Sequence, residues 1–259
     1  MSLLKSLCMA FSMYSKIPVP KVAWEENNRK YVLCFLPLIG LVEGAAMYLL
    51  WMLRAQIGVY IPFPVFVLTG CVLPVLITGG IHLDGFLDTM DALHSWQEKE
   101  KKLEILKDPH VGAFACISLA CYFCLYGAGL YLLLDERQLL FLMLGFCFSR
   151  SLSGLALVTV KSAKKEGLLY TFASDAHKNA VRCVLGLWLV LLFAASGLRY
   201  GMWGVGAAAV GLLFFFYYIY MACDKFGGLT GDLAGWFVTV YELIFVWMTG
   251  SIGFLWNWW

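Results

Sequence analysis

Three aspartates fall within eight residues in the stretch Gly79-Gly80-Ile81-His82-Leu83-Asp84-Gly85-Phe86-Leu87-Asp88-Thr89-Met90-Asp91. Their i, i+4, i+7 spacing puts them at about 0°, 40° and 340° around a helix, on one face. Like charges stacked in this way repel, so the face calls for a positive partner. Hard oxygen ligands with no Cys or His among them favour Mg2+, or Mn2+, over zinc. A solvated acidic stretch is the plainer account, and it suits Glu98, Glu100 and Glu104, which alternate with lysines. It suits Asp84, Asp88 and Asp91 poorly, because bulky Leu83, Phe86, Leu87 and Met90 are interleaved with them. His82 lies roughly 160° off the acidic face. A structural hydrogen bond or a substrate contact fits it better than metal ligation.

A second constellation is Asp224-Lys225-Phe226-Gly227-Gly228-Leu229-Thr230-Gly231-Asp232. Glycine-rich backbone with a Thr leading into a helix can offer N–H groups to phosphate oxygens, although the same string also makes an ordinary turn. Asp232 suits a helix N-terminus on dipole grounds, and equally a metal or substrate contact. Lys107-Asp108-Pro109-His110 precedes an apolar run, and Arg150 sits inside another, where a charge is costly. Arg150 either pairs with Glu43 or Glu242 or faces an anionic substrate. Three charges within apolar runs also suit a transporter of an anionic solute, which stands as the alternative to an enzyme.

The elements that must hold these groups are membrane helices. Of 259 residues, 61% are apolar and 14% charged, and mean hydropathy is +0.78. A water-facing globule of this size has no means of hiding that much apolar surface, and disorder demands the opposite composition. Seven continuous apolar runs are long enough to cross a bilayer: Tyr31–Leu53, Tyr60–Ile81, Val111–Leu134, Gln138–Val160, Val181–Leu198, Gly201–Cys223 and Leu233–Trp256. The expected fold is therefore all-α, a polytopic helical bundle of about seven spans forming one domain over residues 1–259. Of the 19 Lys and Arg, all but Arg150 and the three residues Arg54, Arg137 and Arg199 fall on one set of alternate loops. That bias predicts a cytoplasmic N-terminus, an external C-terminus, and both chemical constellations on the cytoplasmic side. A net charge of +2 makes no case for nucleic acid.

The first fifteen residues set Leu3, Leu4, Leu7, Ala10, Phe11 and Tyr14 at helical spacing against Ser2, Lys5, Ser6, Ser12 and Ser15. This pattern predicts a helix lying in the headgroup plane, ended by Lys16-Ile17-Pro18-Val19-Pro20. The closing Trp256-Asn257-Trp258-Trp259 reads as an interfacial anchor. Nine cysteines, mostly within apolar runs, read as packing residues, with no disulfide framework or zinc site expected.

Nearly end to end, the chain resembles the cobalamin synthase family, the adenosylcobinamide-GDP ribazoletransferases. The resemblance is carried by Lys16–Pro20, Phe35-Leu36-Pro37-Leu38-Ile39-Gly40, the Gly79–Asp91 block, Leu106-Lys107-Asp108 with Gly112, Ser149-Arg150 and Gly227–Asp232. The chain departs from the family pattern at His110, where Arg is frequent, and at Ala92, where Gly is common. The resemblance implies that α-ribazole, or its 5′-phosphate, displaces GMP from adenosylcobinamide-GDP in the bacterial cell membrane. It also implies Mg2+ (or Mn2+) on Asp84 and Asp88, with Asp91 a third ligand or the base for the attacking ribose hydroxyl. His82, Lys107, Arg150, Gly228, Thr230 and Asp232 would then contact substrate. A homo-oligomer, or association with other cobalamin-assembly enzymes, stays open.

Overall fold

The fold is described from a computed structural model covering residues 2–56, 61–164 and 167–256. It is a bundle of helices: α1 (Ser2–Tyr14), α2 (Glu26–Arg29), a 3-10 turn (Val32–Phe35), α3 (Leu36–Gln56), α4 (Phe63–Thr78), α5 (Ile81–His94), α6 (Lys99–Ile105), α7 (Ala113–Tyr131), α8 (Glu136–Thr159), α9 (Leu168–Asp175), α10 (Lys178–Phe226) and α11 (Gly231–Trp256). Among the described residues, the extended structure amounts to one isolated parallel bridge, Ser162 with Leu229. The tail 257–259, expected as an interfacial anchor, lies outside the described residues.

Helix α8 is buried along most of its length, between α3 on one side and α10 and α11 on the others. By contrast α10 exposes Leu187, Val190, Leu213 and Phe216, an arrangement that is costly in water and ordinary against lipid. By length and apolarity five helices qualify as membrane-crossing, or six when α4 and α5 are taken as one broken span. This differs from the expected seven, and the difference lies at Gly201. The 49-residue helix α10 contains a non-helical residue there, at φ 59° and ψ −141°. A Cβ on Gly204 would lie 2.1 Å from the Ser196 carbonyl oxygen. Residues eight apart in one straight helix are separated by about 12 Å, so the chain folds back on itself at Gly201. Two expected runs, Val181–Leu198 and Gly201–Cys223, are the two arms of this hairpin.

Two features deliver the acidic helix to its place. Gly79 and Gly80 both take left-handed conformations, at φ 68° and 81°, which end α4 and turn the chain through 98° into α5. Lys16, just beyond α1, then donates its backbone N–H to the Ile77 carbonyl at 2.7 Å and lays its side chain over Gly79. Helix α1 faces the bundle differently from its apolar periodicity. Ser6, Met9, Ala10 and Tyr14 are buried, whereas Leu3 and Leu4 are exposed. Ser6 tolerates burial because its hydroxyl donates to the Asn28 carbonyl at 2.7 Å.

Candidate active site

Helices α5 and α11 meet at their backbones. A Cβ on Gly85 would stand 2.7 Å from the Asp232 carbonyl oxygen, and one on Gly235 would stand 2.9 Å from that of His82. Two glycines thus let the acidic helix sit directly on the first turns of α11, bringing Asp84 and Asp232 to a shared cavity of about 520 Å3. Asp84 is exposed there, and Asp232 is partly covered. Asp88 stands in the negative field of Asp84, Asp232 and Asp91, with Lys164 as the opposing positive charge.

The third aspartate of the motif is used differently. Asp91 accepts the Gly112 N–H on Oδ2 at 2.6 Å and the Ala115 N–H on Oδ1 at 2.8 Å. It caps the N-terminus of α7, whose first amide groups have no partners within the helix. Among the described residues, no group of three His, Cys, Asp or Glu side chains is placed to hold a metal ion. One helical face therefore does not make a ready ligand set of Asp84, Asp88 and Asp91, because α7 has drawn the last carboxylate to its own amides. The carboxylates that converge are Asp84 and Asp88 from α5 with Asp232 from α11.

The glycine-rich string also works otherwise than its composition suggests. Gly227, at φ 76°, closes α10, and the Gly228 amide donates to the Ala222 carbonyl. The Leu229 amide donates to Lys161 O, and Leu229 O accepts from the Ala163 amide, both at 2.9 Å. These donors are spent on protein, and Gly228 is buried away from the cavity against the backbone of Lys161 and Ser162. Thr230 does line the cavity, while its Oγ1 accepts the Leu233 N–H and caps α11. Gly231 and Asp232, in the first turn of α11, line it as well.

Arg150 is 2% exposed and reaches the cavity floor, yet its guanidinium is committed to two carboxylates. Nη2 donates to both Glu43 oxygens at 2.6 and 2.7 Å, and Nη1 pairs with Glu242 and with Ser149 Oγ. The intramembrane charges that raised a transport reading are thus paired with one another. Pairing with both Glu43 and Glu242, rather than with one of them, follows from the fork of the guanidinium. Lys107 lines the cavity mouth. His110 is exposed; its backbone N–H at 2.9 Å, and then its ring at 2.6 Å, bond Asp108 and hold that carboxyl below the usual carboxylate range. Neither of that pair lines the cavity.

His82 lines the wall, its ring nearly parallel to that of Tyr14 at 17° with centroids 6.4 Å apart. Tyr14, Lys164 and Ser153 are cavity residues that sequence reasoning did not single out. Lys164 carried no signal beyond membership of a basic loop. It reaches the site because the strand-like pairing of 161–163 with Leu229 carries that loop to the start of α11.

Residues 6–250 match the family model for cobalamin-5-phosphate synthase. The chain is 44% identical over 246 residues to an adenosylcobinamide-GDP ribazoletransferase of Lachnoclostridium phytofermentans, covering 94% of this chain and 92% of that one. It is 31% identical to the enzyme of that name from Clostridium perfringens strain 13, over 96% of this chain and 98% of the relative. For the Listeria monocytogenes EGD-e protein of the same name the figures are 31%, 90% and 92%. No solved structure matches the chain significantly.

Proposed function

The chain belongs to the cobalamin-5-phosphate synthase family, and on that premise we propose that it is an adenosylcobinamide-GDP ribazoletransferase of cobalamin biosynthesis. The acceptor is α-ribazole or its 5′-phosphate, and GMP is the leaving group. The observation that carries the assignment is a single cavity in which carboxylates (Asp84, Asp232) and ammonium groups (Lys107, Lys164) face the same space. A pyrophosphate with its counter-cation needs both signs of charge at close quarters.

The chemistry of the carboxylates suits a hard divalent ion, although among the described residues no three of them stand as a ready ligand set. Asp84, Asp88 and Asp232 bring carboxylate oxygens alone, and their mutual repulsion exceeds what one lysine offsets. Asp84 and Asp88 would hold Mg2+, or Mn2+. When bound, such an ion supplies charge stabilisation at the pyrophosphate and at the departing GMP. Lys107 and Lys164 bind the phosphate oxygens that carry developing charge. Asp232 enters from α11 rather than from the α5 face, and takes the proton of the attacking ribose hydroxyl. Asp91 acts one step removed, by fixing α5 against the start of α7.

The positive-inside bias supports a cytoplasmic N-terminus and a cavity mouth opening to the cytoplasm, where nucleotide arrives and GMP leaves. Protein purified in detergent should release GMP from adenosylcobinamide-GDP only with α-ribazole and a divalent cation both present, and EDTA should stop it. If it releases none, while sealed vesicles containing it accumulate a corrinoid, the chain is a transporter instead.

A further inference from the structure

Among the described residues nine buried side-chain atoms have no hydrogen-bond partner, and three of them belong to residues lining this cavity: Tyr14 Oη, His82 Nε2 and Arg150 Nε. Tyr14 is 7% exposed and Arg150 2%. Buried polar atoms left unpaired are costly, and the three that fall around one cavity are the ones a ligand in it is placed to relieve.

The chemistry of that ligand follows from its surroundings. By burial the cavity has an outer end, at exposed Asp84 and Lys107, and an inner end, at Arg150, Leu36, Leu157 and Val238. Aliphatic side chains line the inner end, and the near-parallel rings of Tyr14 and His82 stand in the wall of the same cavity. Arg150, Glu43 and Glu242 together carry a formal charge of −1, so a phosphate is repelled from this end. Guanine is recognised through acceptors for its N1–H and amino group. The buried carboxylates Glu43 and Glu242 are spent on Arg150, and neither lines the cavity. The orphan atoms are chiefly donors: Arg Nε–H, a tyrosyl hydroxyl and an imidazole nitrogen. A flat, mostly apolar, neutral heteroaromatic with acceptor atoms satisfies all of these conditions. The benzimidazole base and ribose of a ribazole have that character. A volume of about 520 Å3 also suits one nucleoside rather than an entire corrinoid nucleotide.

We infer that the inner end of the cavity is the acceptor subsite, with Tyr14, His82 and Arg150 Nε receiving the base and ribose of α-ribazole. The pyrophosphate then occupies the carboxylate and lysine end, and the corrin stays outside the cavity. This rests on the transferase reading. It also makes α1, which supplies Tyr14, part of the substrate-binding wall.

The test is steady-state kinetics on detergent-purified full-length protein, varying α-ribazole and adenosylcobinamide-GDP separately. Tyr14→Phe and His82→Phe should each raise KM for α-ribazole by about fivefold, the worth of one hydrogen bond, and leave KM for adenosylcobinamide-GDP unchanged. Val238→Phe keeps every polar group but narrows the slot, and should raise KM for α-ribazole with the same selectivity. α-Ribazole alone, without any corrinoid, should bind the wild-type protein and bind Val238→Phe more weakly. The inference is overturned if these variants raise KM for adenosylcobinamide-GDP instead, or if all three leave α-ribazole binding and KM untouched. Absence of GMP release by the wild-type protein would defeat the transferase reading itself, a distinguishable outcome.

Discussion

Asp91 closes on Gly112: its Oδ2 accepts the Gly112 N–H at 2.6 Å, and a Cβ at position 112 would stand 2.5 Å from its Oδ1. A motif aspartate and a glycine 21 residues downstream are therefore one device, which ties the end of the acidic helix to the beginning of α7. Asp91→Asn retains one acceptor oxygen but turns an NH2 group toward the second amide, and Gly112→Ala pushes the carboxylate away. Each should destabilise the protein by about 1–2 kcal/mol, the usual cost of losing a helix cap. Thermal unfolding in detergent measures this. Added Mg2+ should not restore Asp91→Asn, because the lost interaction is with backbone amides; full restoration by Mg2+ would return Asp91 to the ligand set.

The carboxylates facing the cavity should behave otherwise. Asp84→Asn keeps shape and hydrogen bonding but removes a charge from the proposed cation site. GMP release should fall by about two or more orders of magnitude, as for loss of a major electrostatic contributor to a transition state. The melting temperature should stay near the wild-type value, because Asp84 is exposed. Glu100→Gln, at an exposed position of α6, serves as the control and should be close to neutral. Equal losses in the two variants would remove the distinction on which the site assignment stands.

Arg150 bridges two buried glutamates, so deleting it leaves two uncompensated charges in a low-dielectric interior. Arg150→Met should destabilise the bundle by about 3–5 kcal/mol, whereas the triple change with Glu43→Gln and Glu242→Gln should recover much of that loss. Denaturant or thermal unfolding of the two proteins makes the comparison. A triple variant no more stable than Arg150→Met would show that packing, rather than charge pairing, is what Arg150 contributes.

The hairpin at Gly201 decides how many times the chain crosses. With the N-terminus cytoplasmic and α10 crossing twice, a reporter fused at the C-terminus should be active outside the cytoplasm, and one inserted after Lys225 should be active inside it. The reversed pattern, active outside after Lys225 and inside at the C-terminus, would require α10 to cross once.

Much of this protein was legible in its sequence, because the controlling physics is local. Apolar runs longer than a bilayer is thick leave membrane helices as the only outcome, but the run Tyr60–Ile81 gave no sign of the 98° turn that the left-handed Gly79 and Gly80 make within it. The Asp84–Asp88 spacing announced an acidic face, and the resemblance carried by the motifs named the family. The destinations of individual side chains were not legible, because each depended on what packs against it. Three aspartates on one helical face look equivalent until α7 presents its amides to Asp91 and α11 brings Asp232 to the other two. Gly228 reads as a phosphate loop until the 161–163 segment takes up the adjoining amide. Arg150 pairs with helices 107 residues before it and 92 after it, a contact no local pattern encodes. Tyr14 and Lys164 entered the cavity wall for the same reason. Periodicity sets which face a residue occupies on its own helix, and tertiary packing alone sets what that face meets.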